Sequence, residues 1–184
     1  MALVAHRYLR PGDVLFARSR GPYRDSAPKA WRTLEAWLDR HALRPRIRQA
    51  FGYFRDDPRT TAPELVRFDA CVPAATAADI ELPPDIGRQT LPAGAYAVES
   101  FRGRYEDIGP VLSRLRRDMA PGRLSIDLGR AFLAVYLADP RVTPAAHRRC
   151  DICVPVLPVS MASAGNDADD LSAEEQAFPR WRRA

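Results

Sequence analysis

Cys150 and Cys153 have the C-x-x-C spacing that can hold a metal ion or carry out disulfide exchange. The surrounding run is β-prone, however, and residues three apart on a strand point to opposite faces of the sheet. The two thiols would therefore chelate a metal poorly. Cys153 also matches Cys71 in the repeat described below, so we interpret both as small buried apolar side chains. Three cysteines do not make a disulfide framework, which favours a reducing, cytoplasmic location.

The other residue types that could do chemistry show no recognisable spacing. His6, His41 and His147 are scattered, which argues against a metal site. The sequence contains no G-x-S-x-G nucleophile elbow, no P-loop and no G-x-G-x-x-G dinucleotide fingerprint. We therefore expect no metal, no cofactor and no catalytic residue.

The composition is that of one globular domain. The chain has 184 residues, of which 46% are hydrophobic and 28% charged, enough to bury a core without disulfides. No apolar run approaches the ~20 residues that a transmembrane helix requires. The net charge of +5 comes almost entirely from arginines, which are spread along the chain rather than gathered into a basic stripe. We expect neither membrane insertion nor direct binding of nucleic acid.

The elements that must position any site occur twice. Residues 9–74 align without a gap to residues 91–156 at a shift of 82, with 18 identities in 66 positions. The identities include Gly12 with Gly94, Tyr23 with Tyr105, and the CVP of residues 71–73 with that of 153–155. This similarity indicates a tandem duplication.

Each half is predicted to be a β-α-β-β unit. Short β-prone runs lie at 14–18 and 96–100, and each is followed by an R-G-x-Y motif. Helices are predicted at 26–43, where Ser26 is suited to cap the first turn, and at 107–119. Two further strands are predicted in the first half, at 47–55 and 65–72, and two in the second half, at 130–137 and 147–156. An extra strand is predicted in the linker at 86–91.

These units predict an α+β fold in which two β-α-β-β modules form one antiparallel sheet with two long helices on one face. Neither helix then covers the sheet at the pseudo-twofold axis, and pockets tend to form at such seams. We assign residues 1–158 to the domain, and the small, polar residues of 159–184 to a flexible tail. A monomer or a weak homodimer is expected.

Several segments together resemble the GyrI-like family, the effector-binding domain of AraC-type and MerR-type regulators that also occurs as free-standing proteins. They are RGPY at 20–23, Trp31 and Trp37, GYFRDDP at 52–58, PELVRFDAC at 63–71, LPAGAYAV at 91–98, VYLADP at 135–140 and CDICVP at 150–155. The resemblance implies a duplicated β-α-β-β fold with a central pocket for drug-like, often cationic, molecules. It links free-standing members to gyrase inhibition and a subset to hydrolysis of strained cyclopropane natural products. Because the first strand begins by about residue 13, we expect a free-standing member.

The chain departs from the family pattern inside the expected pocket. Ala134 stands where the family usually has a glutamate, two residues before the strand tyrosine Tyr136. Residues 117–120, including Met119, replace a tryptophan that many members carry at the end of the second helix. The carboxylate and the ring that would face a cation are therefore both missing, and we expect a changed ligand preference.

The candidate ligand-binding residues follow from strand alternation and from the helix stripe. They are Phe16, Trp31, Trp37, Gly52, Phe54, Met119, Phe132, Ala134, Tyr136 and Arg149. For the two tryptophans, and for Phe16, a place in the core is the alternative. Arg149 and its repeat partner Arg67 either point inward, favouring an anionic or neutral polar ligand, or face solvent.

The sequence is interpreted as a free-standing protein that binds a small organic ligand without transforming it, by sequestering or sensing it. One alternative is a protein-interaction module that inhibits DNA gyrase. A second is a hydrolase of strained natural products, for which Glu99 and Tyr136 are the pair to test.

Overall fold

The computed structural model describes residues 5–118 and 124–158. Two α-helices lie in these ranges, α1 (Tyr23–Arg40) and α2 (Ile108–Asp118). The strands are β1 (Ala5–Leu9), β2 (Gly12–Arg20), β3 (Ala50–Phe54), β4 (Arg67–Pro73), β5 (Gly87–Leu91), β6 (Gly94–Arg102), β7 (Leu124–Ile126), β8 (Phe132–Tyr136) and β9 (Arg149–Pro158).

Eight strands form one curled antiparallel sheet in the order β1-β6-β9-β8-β3-β4-β2-β5, and β7 pairs with β9 outside this path. The centre of the sheet is the β3–β8 pair, where Gly52 and Ala134 lie directly opposite each other. Both helices pack on one face of the sheet. The predicted α+β class, with an antiparallel sheet and two helices on one face, is confirmed.

The leading strand of each half pairs with the other half. β1 runs antiparallel to β6 with Leu9 opposite Gly94, and β5 runs antiparallel to β2 with Leu91 opposite Gly12. These two contacts are related by the 82-residue shift of the sequence repeat. The linker strand predicted at 86–91 is thus β5, whereas β1 and the three-residue β7 were not predicted.

Helix α1 begins three residues before its predicted start, and Ser26 does not cap it. Pro22 is the N-cap residue, without a side-chain cap, and Ser26 is fully buried within the helix. The reason is the turn that follows β2: Gly21 has a φ of +117°, so the chain reverses at once and the helix starts directly after Pro22.

Both faces of the sheet are buried. On the helix side, Leu34 and Leu38 of α1 and Leu115 of α2 pack on Phe68 and Ile152. On the opposite side, a second apolar cluster forms without a helix because the sheet curls around it. Its members are Leu9, Val14, Phe51, Tyr53, Cys71, Leu91, Tyr96, Val98, Leu133, Val135 and Cys153.

A buried carboxylate lies on this second side of the sheet. Asp69 is 0% exposed and accepts hydrogen bonds from Arg18 (Nε–Oδ1 2.6 Å), Arg55 (Nε–Oδ2 2.8 Å) and Gln89 (Nε2–Oδ2 3.0 Å). Burial acts to raise the pKa of Asp69, but these donors outweigh burial and hold the pKa below its usual value. The folded protein therefore keeps Asp69 ionised.

The three cysteines are buried and unbridged. Burial raises the pKa of the Cys150 thiol to about 12 and also raises those of Cys71 and Cys153. Since the thiolate is the form that attacks electrophiles and binds metals, these side chains act as apolar filling.

Candidate functional site

A cavity of about 1090 Å³ opens on the helix side of the sheet, over the β3–β8 pair. Helix α1, the segment between α1 and β3, the start of α2 and the loop after β8 surround it, so both halves of the chain contribute. Five aromatic side chains line it: Tyr23, Trp31, Phe54, Tyr105 and Tyr136. A volume of this order accommodates a drug-sized organic molecule.

Tyr136 forms the centre of the aromatic lining. Its ring meets Trp31 edge-on, with centroids 5.4 Å apart, and Tyr105 at a tilt, with centroids 4.7 Å apart. The side chain is 6% exposed, and burial raises the pKa of the phenol well above its ordinary value. Tyr136 therefore keeps its proton and is uncharged at neutral pH.

Tyr23 and Tyr105 hold equivalent loops beside the cavity. The hydroxyl of Tyr23 donates to the carbonyl oxygen of Asp56 at 2.5 Å. The hydroxyl of Tyr105 lies 2.9 Å from the carbonyl oxygens of both Ala138 and Arg149. Each tyrosine comes from the R-G-x-Y motif between a strand and its helix, which explains why the motif occurs in both halves.

The mouth of the cavity is basic. Of the lining side chains that the structure describes, three are carboxylates, and each has an arginine partner: Glu35 with Arg44 (3.7 Å), Glu106 with Arg104 (3.6 Å) and Asp139 with Arg141 (2.7 Å). Seven lining residues are arginines: Arg24, Arg32, Arg44, Arg48, Arg141, Arg148 and Arg149. The described lining thus carries a surplus of positive charge.

The chain matches the model of the GyrI-like small-molecule-binding domain over residues 7–157. The chain belongs to this family. It is also 36% identical to the DNA gyrase inhibitor of Edwardsiella ictaluri over an aligned segment of 90 residues. That segment covers 46% of this chain and 54% of the relative. The inhibitor of Edwardsiella piscicida is 37% identical over 94 residues, or 48% and 57% of the two chains. The chain spans about half the length of the curated relatives it matches.

Solved structures share the GyrI-like fold at low identity. The C-terminal domain of EcmrR superposes with a TM-score of 0.64 at 13% identity, over 86% of this chain and 99% of that domain. SAV2435, solved bound to tetraphenylphosphonium, superposes with a TM-score of 0.55 at 9% identity, over 84% of this chain and 94% of its own. These similarities establish the fold.

Four of the predicted ligand-binding residues, Trp31, Phe54, Tyr136 and Arg149, lie on the GyrI-like cavity. Gly52, Phe132 and Ala134 lie on the same side of the sheet but are buried beneath the lining. The remaining three were assigned from helix spacing or strand alternation.

Two of these three residues, Trp37 and Phe16, lie away from the cavity. Trp37 is 3% exposed and packs in the core beside His41. Phe16 lies on the opposite side of the sheet, against Gly87 and the second apolar cluster. Met119 lies outside the described residues.

Sequence reasoning did not select Tyr23 and Tyr105 as lining residues, although it identified them as repeat identities. The signal that could have found them is that the same tyrosine occurs at the start of the helical segment in both halves. Glu99, paired with Tyr136 as the hydrolytic alternative, forms an ion pair with Arg114 of α2 and is not part of the cavity lining.

Metal-ligating side chains do not cluster in groups of three or more anywhere in residues 5–118 and 124–158. Within the same ranges, no helix is long and apolar enough to cross a membrane.

Proposed function

We propose that this GyrI-like chain binds a small aromatic organic molecule in the cavity over β3 and β8, to sequester or sense it without transforming it. The observation that carries the proposal is the aromatic lining, in which the Tyr136 ring contacts Trp31 edge-on and Tyr105 at a tilt. Such rings present flat apolar faces to a planar ligand at little cost in side-chain entropy.

Two further observations support binding over catalysis. The described carboxylates of the lining are engaged by arginines, and the Tyr136 hydroxyl stays protonated. SAV2435, which shares the fold, was solved with an aromatic ion bound. Carboxylates that are held by arginines and a protonated phenol are suited to holding a molecule rather than converting it.

The test is titration with anilinonaphthalene, a neutral dye whose emission rises in apolar surroundings. The wild-type chain should bind one dye, and Trp31→Ala should weaken binding by about tenfold, as expected when a central aromatic contact is removed. Tyr8→Ala is the matched control because Tyr8 is 64% exposed on β1, away from the cavity. Equal affinities for wild type and Trp31→Ala, with both chains folded by circular dichroism, would rule out the cavity as the binding site.

A second candidate is inhibition of DNA gyrase, favoured by the names of the curated relatives. The experiment is a supercoiling assay with purified gyrase and increasing amounts of the chain. Inhibition that reaches half its maximum near stoichiometric amounts would support this function. Unchanged supercoiling at a large molar excess would exclude it.

A further inference from the structure

The loop after β3 and the loop after β8 have nearly the same sequence and the same internal hydrogen bonds. They read DPRTT at 57–61 and DPRVT at 139–143. The last N–H of each run donates to the carbonyl oxygen of its aspartate, at 2.9 Å from Thr61 and at 3.0 Å from Thr143. The arginine N–H of each run donates to the carboxylate of the same aspartate, at 3.0 Å in the first loop and 2.9 Å in the second. The two halves therefore share one loop structure.

Only the loop after β8 forms part of the cavity wall. Seven consecutive residues, 137–143, line the cavity. None of residues 55–66, all of which the structure describes, lines it. Since the loops themselves are alike, the cause of this difference must lie in how each loop is anchored and in the positions where their sequences differ.

The anchor of the first loop is an ion pair. The Asp56 carboxylate accepts hydrogen bonds from Arg67, from Nε at 2.9 Å and from Nη2 at 2.7 Å. The residue equivalent to Asp56 in the second half is Ala138, whose methyl group makes no such bond. The second loop therefore requires a different anchor.

Arg148 provides that anchor. Its Nε donates to the carbonyl oxygen of Thr143 at 3.1 Å, and its Nη2 donates to that of Pro140 at 2.8 Å. Its guanidinium carbon lies 5.9 Å from the centroid of the Tyr105 ring. All three of these partners line the cavity. The residue equivalent to Arg148 in the first half is Val66, which is buried and has no donor in its side chain.

Val142 is the apolar side chain of this wall that is most open to solvent. It is 80% exposed and lines the cavity. The equivalent position in the loop after β3 is Thr60, which is polar, exposed and away from the cavity. A bound organic molecule would bury the apolar surface of Val142, which favours binding. The sequence difference between the loops thus follows the difference in their surroundings.

We infer that the loop after β8 is a ligand-contacting wall of the cavity, with Val142 in contact with the ligand and Arg148 as the residue that positions the loop. The inference rests on the proposed function, since it assigns roles in binding at the same cavity. The planar guanidinium carries its donors in a rigid fork, so one side chain holds two carbonyl oxygens at a fixed spacing. Arg148 therefore acts through the loop rather than on the ligand.

Titration with anilinonaphthalene tests Val142. Val142→Thr copies the residue of the first half at an exposed position, so the fold should be unaffected. It should weaken dye binding by about fourfold, because a hydroxyl replaces a methyl group that the ligand buries. Thr60→Val makes the converse exchange on the loop away from the cavity and should leave the affinity unchanged.

Two variants test the positioning role of Arg148. Arg148→Met removes both hydrogen bonds and should weaken dye binding by about tenfold, whereas Arg148→Lys keeps one donor and should lose only about threefold. The loss for Arg148→Met should agree within about twofold between anilinonaphthalene and its sulfonate, because the charge of Arg148 does not bind the ligand. Arg88→Met alters an exposed strand residue outside the cavity and should change neither affinity.

Amide hydrogen exchange reports the loop directly. Binding of the neutral dye should slow exchange in residues 139–143 and leave exchange in residues 57–61 unchanged. Because the two loops share their internal hydrogen bonds, each serves as the reference for the other. Without dye, Arg148→Met should speed exchange in residues 139–143 only.

The outcomes separate the two proposals. If the dye does not bind, or binds wild type and Trp31→Ala equally, the proposed function fails and this inference with it. Dye binding that depends on Trp31 but leaves exchange in residues 139–143 unchanged, or is unaffected by Val142→Thr, retains the proposed function and overturns the inference. A loss for Arg148→Met that is confined to the sulfonate dye also overturns it, because charge rather than loop position would then explain the effect.

Discussion

The hydroxyl group of Tyr136 occupies the space that a β-carbon on Gly52 would require. A Cβ built on Gly52 would lie 2.7 Å from Tyr136 Oη and 2.9 Å from Phe68 Cζ. Gly52 is on β3 and Tyr136 is its diagonal neighbour on β8, across the central strand pair of the sheet. The absence of a side chain at Gly52 therefore allows the Tyr136 ring to pack closely against β3.

We expect Gly52→Ala to lift Tyr136 and to disturb its contacts with Trp31 and Tyr105. Overpacking of this kind costs about 1–3 kcal/mol in the free energy of unfolding, and ligand affinity should fall with it. Urea denaturation and dye titration measure the two effects. Gly12→Ala is the control, since a Cβ there meets nothing within 4 Å and both quantities should stay unchanged.

Gly94→Ala should destabilise the fold more than its repeat partner Gly12→Ala. Gly94 has a φ of +150°, and a Cβ would overlap the guanidinium of Arg130, which donates to the carbonyl oxygens of Ala95 (3.2 Å) and Val156 (3.0 Å). Backbone strain and the displaced arginine together should cost about 3 kcal/mol. Thermal unfolding of the two variants provides the comparison, and equal melting temperatures would contradict this account of Arg130.

Asp69→Asn should lower the free energy of unfolding at neutral pH by about 3 kcal/mol. This is the lower end of the range for a broken buried ion pair, because Arg18 and Arg55 are partly exposed to solvent. The folded pKa of Asp69 lies below its usual value. The ionised carboxylate therefore stabilises the fold above about pH 4, and this contribution declines as the pH falls through the folded pKa.

The gap in stability between wild type and Asp69→Asn should accordingly narrow in acid. Denaturation at a series of pH values measures it, with Asp79→Asn, at an exposed position, as the control that should match wild type throughout. A gap that stays constant down to strongly acidic pH would show that the charge of Asp69 is not what stabilises the fold.

Tyr105→Phe should release the loop after β8. The lost hydrogen bond to the half-buried Ala138 carbonyl costs about 1 kcal/mol, whereas the Arg149 carbonyl still accepts from the Leu137 N–H. Amide hydrogen exchange of residues 138–143 should quicken while that of residues 56–61, held by Tyr23, stays unchanged. Tyr8→Phe, on an exposed ring, should alter neither segment.

Local patterns predicted both helices and every described strand except β1 and β7. The helix stripe gave the start of α2 to within one residue, and strand alternation placed Phe132, Ala134 and Tyr136 on one face, because both periodicities are properties of neighbouring residues. The same patterns did not separate Trp31 from Trp37. Both lie on one apolar stripe of α1, and only the distance from each to the second half of the chain makes one a lining residue and the other a core residue.

Phe16 shows the same limit for a strand. Alternation puts Phe16 and Val14 on one side of β2 and Leu15 and Ala17 on the other, but alternation does not say which side the helices cover. The curl of the sheet buries both sides, so burial of apolar residues does not distinguish them either.

The sequence by itself determined the 82-residue repeat, the order of both helices and of every described strand except β1 and β7, and the resemblance to the GyrI-like family, since each depends on residue identity and short-range spacing. The tertiary structure decided which half each leading strand joins, which side chains bind Asp69, and that Arg67 pairs with Asp56. These features depend on contacts between residues far apart in the chain, and no local periodicity encodes them.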